Sequence, residues 1–170
     1  MVRKRLGLHT FWNVVHRDVD GTVLYEESGH NILFNLGEQY VLKAFTGQTA
    51  IAANLYLGID DHTLAEADTM AELTNEPVGD GYARIAVAKD TEWTVQLDGG
   101  TGDYEALTDV VQFAASGGDW AEMDNVFLCT DASGAGGTLI SSFVMSTPRT
   151  VTDGQTLDVS LAMRLREYTP

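Results

Sequence analysis

The chain has 170 residues, 44% of them hydrophobic, which is enough for one well-buried core and short for two. Ten basic against twenty-five acidic side chains leave a net charge of −15, so most of the surface repels a phosphate backbone and nucleic acid is not expected as a partner. No apolar run approaches the roughly 18 residues of a membrane span, and Met1 to Arg5 lead into no signal-peptide core, so the expectation is synthesis in a cytoplasm with no membrane partner.

Charge is unevenly spread. Residues 1 to 17 carry Arg3, Lys4, Arg5 and Arg17 and no acid, whereas 18 to 148 carry three bases against twenty-two acids. Residues 1–7 therefore read as a basic N-terminal arm, either frayed in solvent or docked on an acidic neighbour, and 8–170 as a single domain. From Leu8 to Arg17 apolar groups alternate on both faces, which predicts a strand covered on both sides. The turn Asp18-Val-Asp-Gly21 feeds Thr22 to Glu27 and closes a hairpin.

The run Asn31 to Gly47 is the one long segment with helical spacing. It predicts a helix over about 35–46, with Asn35 and Glu38 as a capping box, Gly47 as a left-handed C-terminal residue, and a stripe of Leu36, Tyr40, Val41, Ala44 and Phe45 that covers a sheet. Asn54 to Ile59 reads as a central strand. The acidic, turn-rich segment Asp60 to Gly81 follows, with at most one helical turn at Asp68 to Leu73; at this length, loops are often functional.

Tyr82 to Asp90 and Glu92 to Leu97 read as strands, the second with Trp93, Val95 and Leu97 facing inward. Asp98 to Asp103 is a loop and Asp109 to Ala115 a further strand. Asp124 to Thr130 and Thr138 to Ser146 form a hairpin about a Gly-rich turn, a short strand lies between Pro148 and Gly154, and Leu157 to Glu167 alternates most regularly of all. The sum is a mainly β chain: an antiparallel β-sandwich of about 8–10 strands with one α-helix packed on it.

No side-chain constellation assigns chemistry. His9 and His16 fall on opposite faces of one strand, and His30 and His62 sit in separate loops, so no pair has metal-ligand spacing. Asp18-Val-Asp-Gly21 lacks the remaining ligands of a calcium loop. No serine lies in Gly-x-Ser-x-Gly, and Cys129 stands alone in an apolar strand as an inert core residue. The expectation is a protein without catalytic residue, cofactor or metal. Trp120, in a polar loop, is either a lid on the end of the sandwich or an exposed anchor for a partner or sugar.

The order of features resembles the small accessory virion proteins of tailed bacteriophages. The resemblance rests on Asn31-x-x-x-Asn-x-Gly37, Leu55-Tyr-Leu-Gly-Ile59, the loop Ala67 to Leu73 leading through Glu76-Pro to Gly79-x-Gly-Tyr-Ala-Arg84, the hairpin Phe127 to Phe143, and the final strand. It implies a non-enzymatic structural protein located in the virion, with other virion proteins as partners. Foremost it implies a capsid decoration or cement protein that binds the major capsid protein and acts as a homo-oligomer. Contacts with neighbouring subunits are then expected at Arg3, Lys4 and Arg5 of the arm, at His62 and Glu66 of the long loop, and at Trp120. A tail-tip, adaptor or fibre-attachment subunit is the alternative, and a carbohydrate-binding β-sandwich that uses Trp120 is the alternative of another class.

Overall fold

The computed structural model describes residues 5–30 and 32–168, with side chains described for 7–30 and 33–165. The elements in chain order are β1 (Arg5–Arg17), β2 (Val23–His30), β3 (Ile32–Leu33), α1 (Asn35–Phe45), β4 (Asn54–Asp60), a 3-10 turn (Met70–Glu72), β5 (Ile85–Ala88), β6 (Trp93–Leu97), β7 (Tyr104–Thr108), β8 (Val111–Ala114), β9 (Met123–Cys129), β10 (Leu139–Arg149) and β11 (Thr156–Tyr168). The chain is thus mainly β with one α-helix, as expected. All pairings are antiparallel. The first sheet runs β2-β1-β11-β7-β6, with β8 alongside the first half of β11; the second runs β3-β10-β9-β4-β5.

Alternation along β1 and β11 supplies one wall of the core. Trp12 lies opposite Leu161 and Val14 opposite Val159, and these side chains are buried against Leu57, Val126, Leu128 and Ile140 of the second sheet. Polar groups in this interior are paired across the sheets: Trp12 Nε1–H donates to Ser141 Oγ at 3.2 Å, and Thr10 Oγ1 lies 2.9 Å from the same oxygen. His16, 1% exposed, donates from Nε2–H to Gln155 Oε1 at 3.0 Å and accepts at Nδ1 from Arg149 Nε–H at 3.2 Å. Arginine can only donate, so this geometry holds the imidazole neutral.

The second sheet is covered on both faces. Phe127, Cys129 and Leu139 point away from the main core and are buried with Phe34 beneath Leu64, Met70 and Leu73 of the long segment after β4. That segment is therefore a packed cover. Its 3-10 turn carries a complete capping box, with Thr69 Oγ1 accepting from Ala71 N–H and Glu72 accepting from Thr69 N–H. Gly58 sits across from Phe127, and a Cβ there would fall inside the Phe127 ring.

The helix departs from expectation at its start and on its face. Phe34, not Asn35, is the N-cap, and no side chain caps it. Burial of Phe34 sets the entry instead: Phe34 N–H donates to Ile140 O at 3.1 Å and Asn35 N–H to Glu66 O at 3.0 Å, which leaves the Asn35 side chain no capping role. Gly47 does take the left-handed conformation, with φ of 71°. The stripe only partly covers a sheet. Tyr40, Val41 and Ala44 are half-buried, whereas Leu36 and Phe45 are exposed, because the helix touches β10 edge-on through Gly37.

Three strand readings also shift. Tyr104 to Thr108 forms β7, which the sequence reading passed over. Strand structure within Tyr82 to Asp90 is confined to Ile85–Ala88, and β10 continues to Arg149 in place of a separate strand after Pro148. Val95 and Leu97 lie on the inward-turned face of their sheet, as expected, but are open to solvent, at 71% and 56% exposure, because β6 lies at an edge that the second sheet does not reach. Among the described residues no helix is long and apolar enough to cross a membrane.

Two predictions follow from packing and burial. Alanine in a helix normally gains up to about 1 kcal/mol over glycine, but a Cβ at Gly37 would overlap the Ile140 backbone, which cannot swing away. Gly37→Ala should therefore destabilise by about 1–3 kcal/mol net in urea unfolding. Burial pushes the His16 pKa below its ordinary 6.5, with the Arg149 charge acting in the same direction against the Gln155 bond and Asp18. The native state then binds fewer protons than the unfolded one, so this contribution is complete above about pH 6.5 and is lost as pH falls toward the folded value. Stability measured from pH 7 downward should decline in that window, and His16→Gln should flatten the decline.

Candidate interaction surface

The residues expected to contact other subunits are dispersed. Arg3 and Lys4 lie outside the described residues; Arg5 belongs to β1, where its backbone pairs with Tyr168, and its side chain lies outside the described ones. Arg5 to Gly7 thus extend a strand that the sequence reading began at Leu8. His62 is half-buried, its N–H bonded to Asp60 Oδ1 at 2.7 Å and its carbonyl to Asn125 Nδ2 at 3.3 Å. Glu66 is exposed. Trp120 is 2% exposed, donates Nε1–H to Asp80 O at 2.9 Å, and stacks edge-on against Tyr82 at 5.7 Å. It is a lid, and its faces are not on the surface as an anchor would require.

Beneath that lid lies the densest polar cluster of the fold. Arg84, buried, grips the Glu76 carboxylate with Nε at 2.9 Å and with its Nη2, and donates to Asp131 O at 3.1 Å and Gly134 O at 3.0 Å. Its guanidinium also lies over the Phe127 ring, 5.3 Å from the centroid. Tyr82 donates to Glu76 Oε2 at 2.7 Å and accepts from Ile59 N–H at 3.1 Å; burial and the Glu76 charge push its pKa far up. Cys129 donates to Asp131 O at 3.3 Å, and burial raises its thiol pKa, so it stays protonated and unreactive. Arg84 joins the long loop to the Gly-rich turn, and Tyr82 ties the same loop to β4. Nearby, Asp60 is buried with its pKa raised by desolvation, and its oxygens accept from His62 N–H and Asn75 N–H.

The surface open for work lies elsewhere, on the inward-turned face of the first sheet beyond the end of the second. There Leu8, Val95, Tyr104, Ala106, Met163 and Leu165 line a groove of about 590 Å³ walled by Val41, Leu42 and Phe45 of α1. Phe45 is 89% exposed, Tyr104 68%, Leu42 64% and Leu165 55%. With Val95 and Leu97 this makes six large apolar side chains, each more than half exposed, gathered about one groove. The one charged group in the groove lining, Glu105, is 6% exposed and held on the opposite face of the sheet by Arg164 at 2.7 Å and Gln96 at 2.9 Å. Arg164 in turn stacks over Phe11 at 4.4 Å and meets Asp98 at 3.3 Å. Charge is thereby gathered on one face of the sheet and cleared from the other.

A family model described as podophage GP4 fiber I protein gp80 matches residues 33–163. The chain belongs to this family. Membership makes it a structural protein of the tailed-phage virion, a component that works among other virion proteins. No curated protein and no solved structure matches the chain. The span shared with the gp80 family takes in α1 and the strands from β4 to β10, so most of the apolar groove lies inside it; Leu8 and Leu165 fall beyond its ends.

The Arg84 cluster generates a stability prediction. Arg84→Met strands the Glu76 carboxylate and two carbonyls and should cost roughly 2–4 kcal/mol, less than a fully buried pair because Glu76 keeps some contact with water. Adding Glu76→Gln to that variant should recover part of the loss in the same denaturation assay.

Proposed function

We infer that the chain is a fibre or fibre-attachment subunit of a tailed phage, working by docking and without catalysis. The observation that carries this reading is membership of a family described as a podophage fibre protein across residues 33–163. It favours the tail-side alternative over the decoration of the major capsid protein that the general resemblance put first. The structure supplies a means: an exposed apolar face, cleared of charge, on a chain of net charge −15. Arg84, Glu76 and Asp60 are engaged in holding the fold. A sugar-binding role through Trp120 loses its basis with the ring turned inward.

Gold-labelled antibody against the purified chain should decorate fibres or their attachment points on intact particles in electron micrographs. Label spread evenly over the capsid facets would return the protein to the decoration class.

A further inference from the structure

The edge of the apolar face is itself an unfinished structure. β6 pairs with β7 and is the last strand of its sheet. At one end of this ladder Asp98 N–H donates to Asp103 O at 2.8 Å, and at the other Asp109 N–H donates to Glu92 O at 3.1 Å. Both pairs keep the register that sets Gln96 opposite Glu105 and Thr94 opposite Leu107. In an antiparallel ladder the residues bonded to one neighbour recur at every second position. Glu92, Thr94, Gln96 and Asp98 therefore turn their backbone groups to β7, and Trp93, Val95 and Leu97 turn theirs to the open side.

Natural sheets blunt such edges with charge, proline or a bulge. The opposite edge, β2, carries Glu26 and Glu27, and the ladder it forms with β1 is irregular at His16/Arg17. The edge of the second sheet, β5, is four residues long and runs into Lys89 and Asp90. Trp93-Thr-Val-Gln-Leu97 carries no charge or proline within the strand, its flanking acids Glu92 and Asp98 lying just outside it, and two of its apolar side chains are more than half exposed.

We propose that β6 pairs antiparallel with β6 of a second copy about a twofold axis through Val95. This deepens the docking role inferred for the apolar face and rests on it. The strand is self-complementary about that centre. Val95 meets Val95 of the second copy, Trp93 meets Leu97 on the apolar face, and Thr94 meets Gln96 on the polar one. The outward backbone groups of 93, 95 and 97 are those such a pairing consumes. It also joins the two apolar faces into one continuous apolar surface across the axis. The strand itself is neutral; just beyond it the same register sets Glu92 opposite Asp98 of the second copy, where Glu92 is bonded to Ala88 N–H and Asp98 is neutralised by Arg164.

The test uses the purified full chain in light scattering and sedimentation, with amide hydrogen exchange read residue by residue. The wild type should be a dimer of the 18.4 kDa chain. Val95→Lys puts two ammonium groups face to face at the axis and should weaken association on the order of 100-fold or more while leaving the circular dichroism and melting of the fold intact. Val78→Lys, on the long loop and 93% exposed, should leave the dimer unchanged. Exchange gives the sharper reading. Amides of Thr94 and Gln96 should be slow in both forms, and those of Trp93, Val95 and Leu97 slow only in the dimer.

A monomeric wild type overturns the proposal, as does a dimer that survives Val95→Lys or one whose 93, 95 and 97 amides exchange freely. A monomer that gains mass only on other purified virion proteins also overturns it, and assigns the face to a different subunit. The two readings fail separately: a monomer that still labels fibres sinks the pairing alone, and a dimer found on capsid facets sinks the fibre role alone.

Discussion

The fold turns on the Arg84 guanidinium. It is a buried cation that simultaneously neutralises Glu76, caps the carbonyls of Asp131 and Gly134, and covers the outer side of the Phe127 ring, whose inner side rests on Gly58. Two stretches distant in sequence, Glu76 to Arg84 and Phe127 to Gly134, are held by one planar group. A lysine could not replace it, since only the arginine fork presents donors in the plane needed for a carboxylate and two carbonyls together. Desolvating that charge is costly, and the cost is offset because all of its partners are already fixed by strands β4, β5 and β9 or by turns that abut them.

The consequence is an asymmetry between the two sheets. With the long loop clamped by Arg84, the centre of the second sheet is buried on both faces, and its exposed residues gather toward the end of β10. The first sheet is longer, because β1 and β11 run thirteen residues each, and it overhangs the second. The helix can shelter only part of that overhang. It is bound to β10 at Gly37, close to its first turn, so its last turn stands away from the sheet with Leu42 and Phe45 uncovered. Rigidity on one side of the sandwich thus leaves apolar surface exposed on the other.

How much of this could be read from sequence depends on the range of the interaction. Elements governed by local periodicity were legible: β1, β4, β11 and the β9–β10 hairpin follow from alternation, and α1 with its Gly47 terminus from the 3.6-residue stripe. β7 was not, because Tyr104-Glu-Ala-Leu-Thr108 alternates weakly and Glu105 is a strand residue only by virtue of Arg164, which reaches it from 59 positions away. Periodicity also names the apolar face of an element without saying whether anything lies over it. That is why Val95, Leu97 and Phe45 read as core residues and are in fact surface. The Arg84 cluster had no local sign at all, its carbonyl partners lying 47 and 50 residues further on. Trp120 shows the same limit from the other side: a tryptophan in a polar loop is exposed or buried according to whether a carbonyl such as that of Asp80 comes to meet it.

Charge and apolar surface are best understood together. A chain at −15 resists association across nearly all of its surface, and that resistance keeps an exposed apolar face from driving indiscriminate aggregation. The acids are not excluded from the working sheet; they are moved across it. Glu105 and Asp98 are drawn to the far face by Arg164, and Asp158 is held there by Arg17 at 2.8 Å and Gln112 at 2.8 Å. The attraction in each of these mostly sheltered ion pairs is offset by the desolvation of its charges. Their larger effect is positional, since they fix the carboxylates away from the groove and leave one neutral face on an acidic particle. A partner is then selected by shape and strand register on that face, while the remaining surface rejects contact at long range.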